Sequence, residues 1–195
     1  MPSQALIDWR GRLCGRLDEL EAIHQSASGT GRGRRWGTEQ LNGQLFVALV
    51  GQFQGFARGL HDETLDWLRV QGQVARVLAD NAAIDRQLDK GNPHPGSLGN
   101  DFAKIGLRLS DEVGTRRWGK RRLHRLDRAV KLRNGVAHDD PSKIALAAAG
   151  PMTDRALPTL ASYRTHREAL DHLAEDIDEV VAAHLATLLG MALPW

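Results

Sequence analysis

Arg133-Asn134-Gly135-Val136-Ala137-His138 sets a permanent cation, an amide and a titratable imidazole within six residues. Metal-free cleavage of a phosphodiester needs such groups: a guanidinium for the non-bridging oxygens, a proton carrier working near neutral pH, and a polar group to orient one of them. Just upstream, residues 116 to 133 hold nine Lys or Arg against one acid, Asp127, a local +8 in a chain whose formal total is +2. That concentration suits a phosphate backbone and leaves the rest of the chain acidic.

Spacing alone does not single the motif out. With 21 Arg and 8 His, an Arg followed by a His after four intervening residues arises by chance about once, and here it occurs twice. The second case, Arg167 to His172, reads as a decoy whose ends pair with Glu168 and Asp171 along a surface helix. Requiring an Asn directly after the Arg, with five Asn in the chain, lowers the chance expectation to about 0.02. Asn134 therefore carries the specificity.

The elements that must hold these groups are helices. Leu6, Leu13, Leu17 and Leu20 form one stripe, ending near His24; a Gly- and Arg-rich loop over residues 26 to 37 follows, holding Arg34 and Arg35. A second stripe, Leu41, Leu45, Leu49, Phe53, Phe56 and Leu60, predicts the central helix, with Gly51, Gly55 and Gly59 as a smooth ridge for another helix. A third helix is predicted from Asp62 to Leu88, ended by the Gly91-Asn92-Pro93 cluster, then a short segment around 101 to 109, the basic helix from Thr115 to His138, and a last helix carrying Leu170 to Leu188. This predicts an all-α, single-domain bundle of about five to six helices, with residues 1–37 as an N-terminal helix plus flexible loop and 38–195 as the core. The 42% hydrophobic content suffices for one core, and nothing calls for a second domain. One cysteine, Cys14, permits no internal disulfide and reads as a packing residue, so a reducing cytoplasm is expected. Neither a secretory leader at the first residues nor a membrane span is expected.

Stepped by angle, Leu123, Leu126, Val130, Arg133, Asn134 and Ala137 share a sector of about 100°, which places Arg133 and Asn134 on an apolar stripe. Polar groups there must be paired, line a cleft or meet another chain. Lys120, Arg121, Arg125, Arg128 and Lys131 point to the other side, a solvated face or an RNA contact surface.

The segment Arg133 to His138 resembles the signature of HEPN domains, in which an Arg, commonly followed by a polar residue, precedes a His at a helix end. Leu49-Val50-Gly51-Gln52-Phe53-Gln54-Gly55-Phe56 is similar to an aromatic-acid-glycine-aromatic segment of some bacterial HEPN families, with Gln54 in place of the acid. The resemblance implies a metal-independent, cofactor-free endoribonuclease acting as a homodimer on RNA, with Arg133, Asn134 and His138 catalytic; the local positive charge makes Arg125, Arg128, Lys131, Arg34 and Arg35 the expected RNA-binding residues. The resemblance further implies a toxin or antiviral defence nuclease, restrained by an antitoxin or a regulatory partner. In that chemistry a ribose 2′-hydroxyl attacks phosphorus, leaving a 2′,3′-cyclic phosphate, while His138 moves a proton, Arg133 holds phosphate oxygens and Asn134 orients the imidazole or binds phosphate. Residues five apart on a helix project about 140° from each other, so a cleft shared by two chains is expected. Asp139 and Asp140 either favour the charged imidazole or turn the chain toward Pro141.

Two other readings stand beside this one. His61-Asp62 and His138-Asp139 are His-Asp pairs of the kind an HD-type metal-dependent phosphohydrolase uses, short of further ligands. Alternatively the chain is a non-catalytic RNA-binding or partner-binding helical module, with the Arg-Asn-His group a structural polar network. His184, amid Val180, Val181 and Leu188, reads as a hydrogen-bonded core histidine, and Trp36 and Trp118 as packing residues or base-stacking platforms.

Overall fold

Ser3 starts the first helix by accepting a hydrogen bond from the Leu6 N–H at 3.0 Å, the usual service of a serine N-cap. α1 (Gln4–Asp8) passes through a π-helical turn, Trp9–Leu13, into α2 (Cys14–Ser28). The computed structural model describes residues 1–28, 36–148 and 158–195, and every regular element among them is helical. The expected loop over 26 to 37 is shorter on both sides, since residues 26–28 continue α2 and 36–37 begin the helix that follows; Arg34 and Arg35 and the turn at 149 to 151 lie outside the described residues. No helix among the described residues is long and apolar enough to cross a membrane.

The second stripe folds as α3 (Trp36–Arg69), with Leu45, Phe46, Leu49, Phe53, Phe56 and Leu60 all buried. Trp9 packs edge-on against Phe53 at 5.5 Å. Its segment crosses the small-residue ridge: a Cβ at Gly55 would sit 3.7 Å from Leu13, and one at Gly59 would sit 3.5 Å from Ala5. The helix does not restart at Asp62. His61, Thr64, Leu65 and Leu68 continue the buried face to Arg69, and the break comes at Gly72, whose φ of 115° favours glycine. The remainder of the expected third helix is split into α4 (Gln73–Ala83) and α5 (Gln87–Lys90). α6 (Pro95–Ala103) starts where His94 Nδ1 accepts from the Gly96 and Ser97 N–H groups, and α7 (Leu109–Thr115) follows.

The basic helix is α8 (Gly119–Ala137), followed by α9 (Pro141–Ala148) and α10 (Leu160–Leu189). α8 packs on α3, α7, α9 and α10, and its buried residues include Leu126, Ala129, Val130 and Leu132. Two glycines allow this. A Cβ at Gly119 would lie 1.8 Å from the Val113 carbonyl oxygen, and one at Gly135 would lie 2.6 Å from Ile144 Cγ1. The core is one cluster running from Ala5 to Trp195, fed by all the long helices.

Because the Gly119 contact is with backbone, no side-chain rotation can relieve it. Gly119→Ala should therefore destabilise the fold by about 1–3 kcal/mol or more, the cost of overpacking. Urea unfolding measures this, and a midpoint equal to wild type would contradict the packing.

Candidate functional site

The structure distributes the nine cations of the basic stretch unequally. Arg116 and Arg122 form ion pairs with Glu179 and Asp176 of α10. Lys131, exposed, pairs with Asp127 one turn back at 2.7 Å. Arg125 and Arg128 correct the angular reading. Each is only 3% exposed, and Arg128 Nε donates to the Ala147 carbonyl at 2.7 Å. A single apolar stripe would leave them in solvent, but α9 covers a second side of α8. They serve packing between helices rather than an open RNA surface.

The motif lies at the other end of α8. Asn134 Oδ1 accepts from Arg133 Nη1 at 3.2 Å and from Asn92 Nδ2 at 2.7 Å. Arg133 and Asn134 are half-buried, which fits side chains held in place yet reachable from solvent. Asn92 belongs to the loop between α5 and α6, and sequence reasoning used it only as a helix stop. Nothing in its own neighbourhood advertises a partner 42 positions away. That loop is fixed by α3: Gln54 Nε2 donates to the carbonyls of Leu88 at 2.8 Å and Gly91 at 2.7 Å, and Arg58 Nε donates to Leu88 at 2.8 Å. Asp101 accepts from the Gln87 and Leu88 N–H groups on the opposite side. Gln54 thus stands where only a donor works; a carboxylate would face two carbonyl oxygens.

His138 caps α8 with φ −106° and ψ 6°, its own N–H still bonded to the Asn134 carbonyl at 3.1 Å. Its side chain is exposed and makes no hydrogen bond among the described residues, so Asn134 does not orient the ring. Asp139 turns the chain with φ 48°. Asp140 then caps α9, accepting from the N–H groups of Ser142 at 3.1 Å and Lys143 at 3.2 Å. The Ser142 and Lys143 bonds hold its carboxyl down at about 2. Of the two sequence readings for this pair, the turn into Pro141 is the one observed for Asp140.

The decoy motif gives the contrast. Arg167 pairs with Asp18 at 2.7 Å and approaches Glu21 at 3.8 Å, while His172 pairs with Glu175 at 3.2 Å. The expected partners, Glu168 and Asp171, are not the ones used; Asp171 accepts from the Trp9 indole instead. At Arg133 and His138 no carboxylate pairs with either group among the described residues. Identical spacing therefore sits in opposite electrostatic surroundings.

Other candidates are absorbed by structure. His61 is buried edge-on to Phe102, and burial, then the Arg86 guanidinium, lowers its pKa. Asp62 is ion-paired with Arg86. Among the described residues no group of three or more His, Cys, Asp or Glu is placed to hold a metal ion. His184 Nε2 meets the Ile105 carbonyl at 3.0 Å, so it is hydrogen-bonded as expected, but it is half-buried rather than in the core. Burial pushes the Cys14 thiol up to about 11, with Asp171 adding to the shift, so it is a packing group and no nucleophile. Comparison of the chain with family models, curated proteins and solved structures returned no match.

Two outcomes follow from this geometry. Gln54→Glu removes the two amide hydrogen bonds to Leu88 and Gly91, leaving Arg58 on the Leu88 carbonyl, and should cost about 1–3 kcal/mol in urea unfolding; unchanged stability would mean that the end of α5 is held otherwise. The cap at Asp140 has a depressed carboxyl, so its contribution is complete above the unfolded value of about 3.9 and is lost as pH falls through about 2. Hydrogen exchange at the Ser142 and Lys143 amides should lose protection in that window, and Asp140→Ala should lose it at neutral pH.

Proposed function

We propose that the chain is a metal-independent endoribonuclease of the HEPN kind, working as a homodimer with Arg133 and His138 as its catalytic residues. One observation carries the reading: of two motifs with the same spacing, only this one leaves the guanidinium and the imidazole without carboxylate partners among the described residues. An unneutralised, half-buried guanidinium beside an exposed imidazole is the local chemistry that an anionic phosphodiester would complete.

In this reading His138 takes the proton of a ribose 2′-hydroxyl, the 2′-oxygen bonds to phosphorus, and the bond from phosphorus to the 5′-oxygen breaks. The leaving oxygen acquires a proton from the imidazolium of either chain or from water. Arg133 donates to the non-bridging oxygens as negative charge builds on them. Asn134 is a positioning residue: with Oδ1 bonded to Arg133 and Asn92, it fixes the guanidinium. The exposure of His138 at a helix end fits a cleft closed by a second copy, since one helix cannot converge both groups on one atom.

A second reading, RNA binding without cleavage, is favoured by the internal use of Asn134 Oδ1, which ties the polar group into the fold. The experiment that separates them is incubation of purified wild type, Arg133→Ala and His138→Ala with RNA in chelator. The expected result is cyclic-phosphate ends from wild type alone, a loss of about 100-fold or more in either variant, and cleavage per chain that falls on dilution as dimers dissociate. Full chelator-resistant activity in His138→Ala overturns the catalytic reading; binding without any cleavage promotes the second.

A further inference from the structure

At the start of α8, opposite the motif, Trp118 is 55% exposed and holds a left-handed conformation, φ 69° and ψ 3°. A large aromatic residue accepts such a backbone only when the surroundings impose it. They do so here: the next residue, Gly119, lies against the Val113 carbonyl so closely that a Cβ would come within 1.8 Å of it. The turn thus presents an indole to solvent instead of packing it. Two guanidiniums lie over that ring, Arg117 at 5.7 Å and Arg121 at 5.9 Å from its centroid. Lys120 is exposed beside them.

The charge of this patch is uncompensated. The acids of α10 take Arg116 and Arg122, yet Arg117, Lys120 and Arg121 pair with no carboxylate among the described residues. The first turn of α8 carries no acid, so two cations of α8 stand at the end of the helix where its dipole opposes positive charge. Helix stability explains neither the cations nor the exposed ring. An anion bearing a planar group accounts for both.

We propose that Trp118, Arg117, Lys120 and Arg121 form a binding site for single-stranded RNA, with a base stacked on the indole and the flanking phosphates on the cations. The choice of RNA over other nucleic acid rests on the reading of the motif given above. The patch and Arg133 belong to one helix, about 20 Å apart along its axis for the thirteen residues from Lys120 and turned about 140° from each other around it, so a strand of several nucleotides would have to wrap partway round the helix to join them. A duplex, whose base faces are stacked internally, cannot use the indole in this way.

The test is anisotropy titration of a labelled, 2′-O-methyl single-stranded RNA, which the 2′-hydroxyl reaction cannot cut. Trp118→Asn removes the ring while suiting the left-handed backbone, and Trp118→Phe keeps a stacking face. Trp118→Asn should bind at least about fivefold more weakly with an unchanged melting temperature, and Trp118→Phe should retain most of the affinity. Arg117→Gln with Arg121→Gln should make the log-log salt slope shallower by roughly 1.4, the value for two phosphates on a single strand. Equal binding of a blunt duplex, wild-type affinity in Trp118→Asn, or Trp118-dependent capture by phosphatidylserine vesicles without RNA binding would each overturn the proposal. Trp118-dependent binding with no RNA cut by wild type would sink the ribonuclease reading and leave this site standing; RNA cleavage with binding indifferent to Trp118 would do the reverse.

Discussion

A helix dense in cations has to be packed on more than one side, and most of the architecture follows from how that is managed. α8 sits against α3, α7, α9 and α10 while carrying Arg125 and Arg128 into the interior. A buried guanidinium is costly unless its donors find acceptors. α9 supplies one as the Ala147 carbonyl, and α10 supplies carboxylates for Arg122 and, at the rim, for Arg116. Gly119 and Gly135 let α7 and α9 come close enough for these contacts to form. What remains of the local +8 is confined to the two ends of the helix and its exposed edge. The surfaces proposed to act on RNA are therefore the part of α8 that packing did not neutralise.

The helical class was legible because apolar residues recur at three and four throughout, and periodicity reports burial directly. Boundaries were less so. α3 runs on to Arg69 because His61 and Thr64 occupy core positions: Thr64 bonds to the Leu60 carbonyl within the helix, and His61 lies against Phe102. Polarity at those positions hid a continuing face. The break at Gly72 depends on a positive φ, which composition does not distinguish from an ordinary helix glycine such as Gly51. Arg125 and Arg128 were misassigned for a related reason. A helical wheel identifies one apolar stripe, but a helix covered by a second neighbour can bury charged residues whose partners come from outside its own sequence window.

The same limit governed the site. The contact between Arg133 and Asn134, and the turn at Asp140 that was one of two readings, involve neighbours in sequence, so their chemistry is local. The roles of Asn92 and Gln54 are not local, because they exist only once α3, α8 and the 88–94 loop meet. One local signal was available: a glutamine amide on the core helix is a donor, and two backbone carbonyls at a helix end are what such a donor would seek. The decoy at Arg167 teaches the converse. Its partners Asp18 and Glu21 come from α2, so neutralisation of a motif is a tertiary property even when the motif is contained in a single turn or two.

The two ends of α8 support function by different arguments. At the C-terminal end the case is chemical: Arg133 is fixed by an amide that is itself fixed by Asn92, and the exposed imidazole follows at the helix cap. A purely structural network would have no use for an imidazole beyond its edge. At the N-terminal end the case is energetic. Cations oppose the helix dipole without a carboxylate partner among the described residues, and a tryptophan takes a backbone that bulky residues avoid, held there by the packing of Gly119 on Val113 and by the hydrogen bonds of the turn while its ring stays in solvent. The exposed ring and these cations at that turn are the features on which the proposed RNA site rests. Because one rigid helix joins the two ends, their axial separation is fixed by its length, and a strand held at Trp118 would have to follow the helix surface partway round to bring a phosphodiester to Arg133.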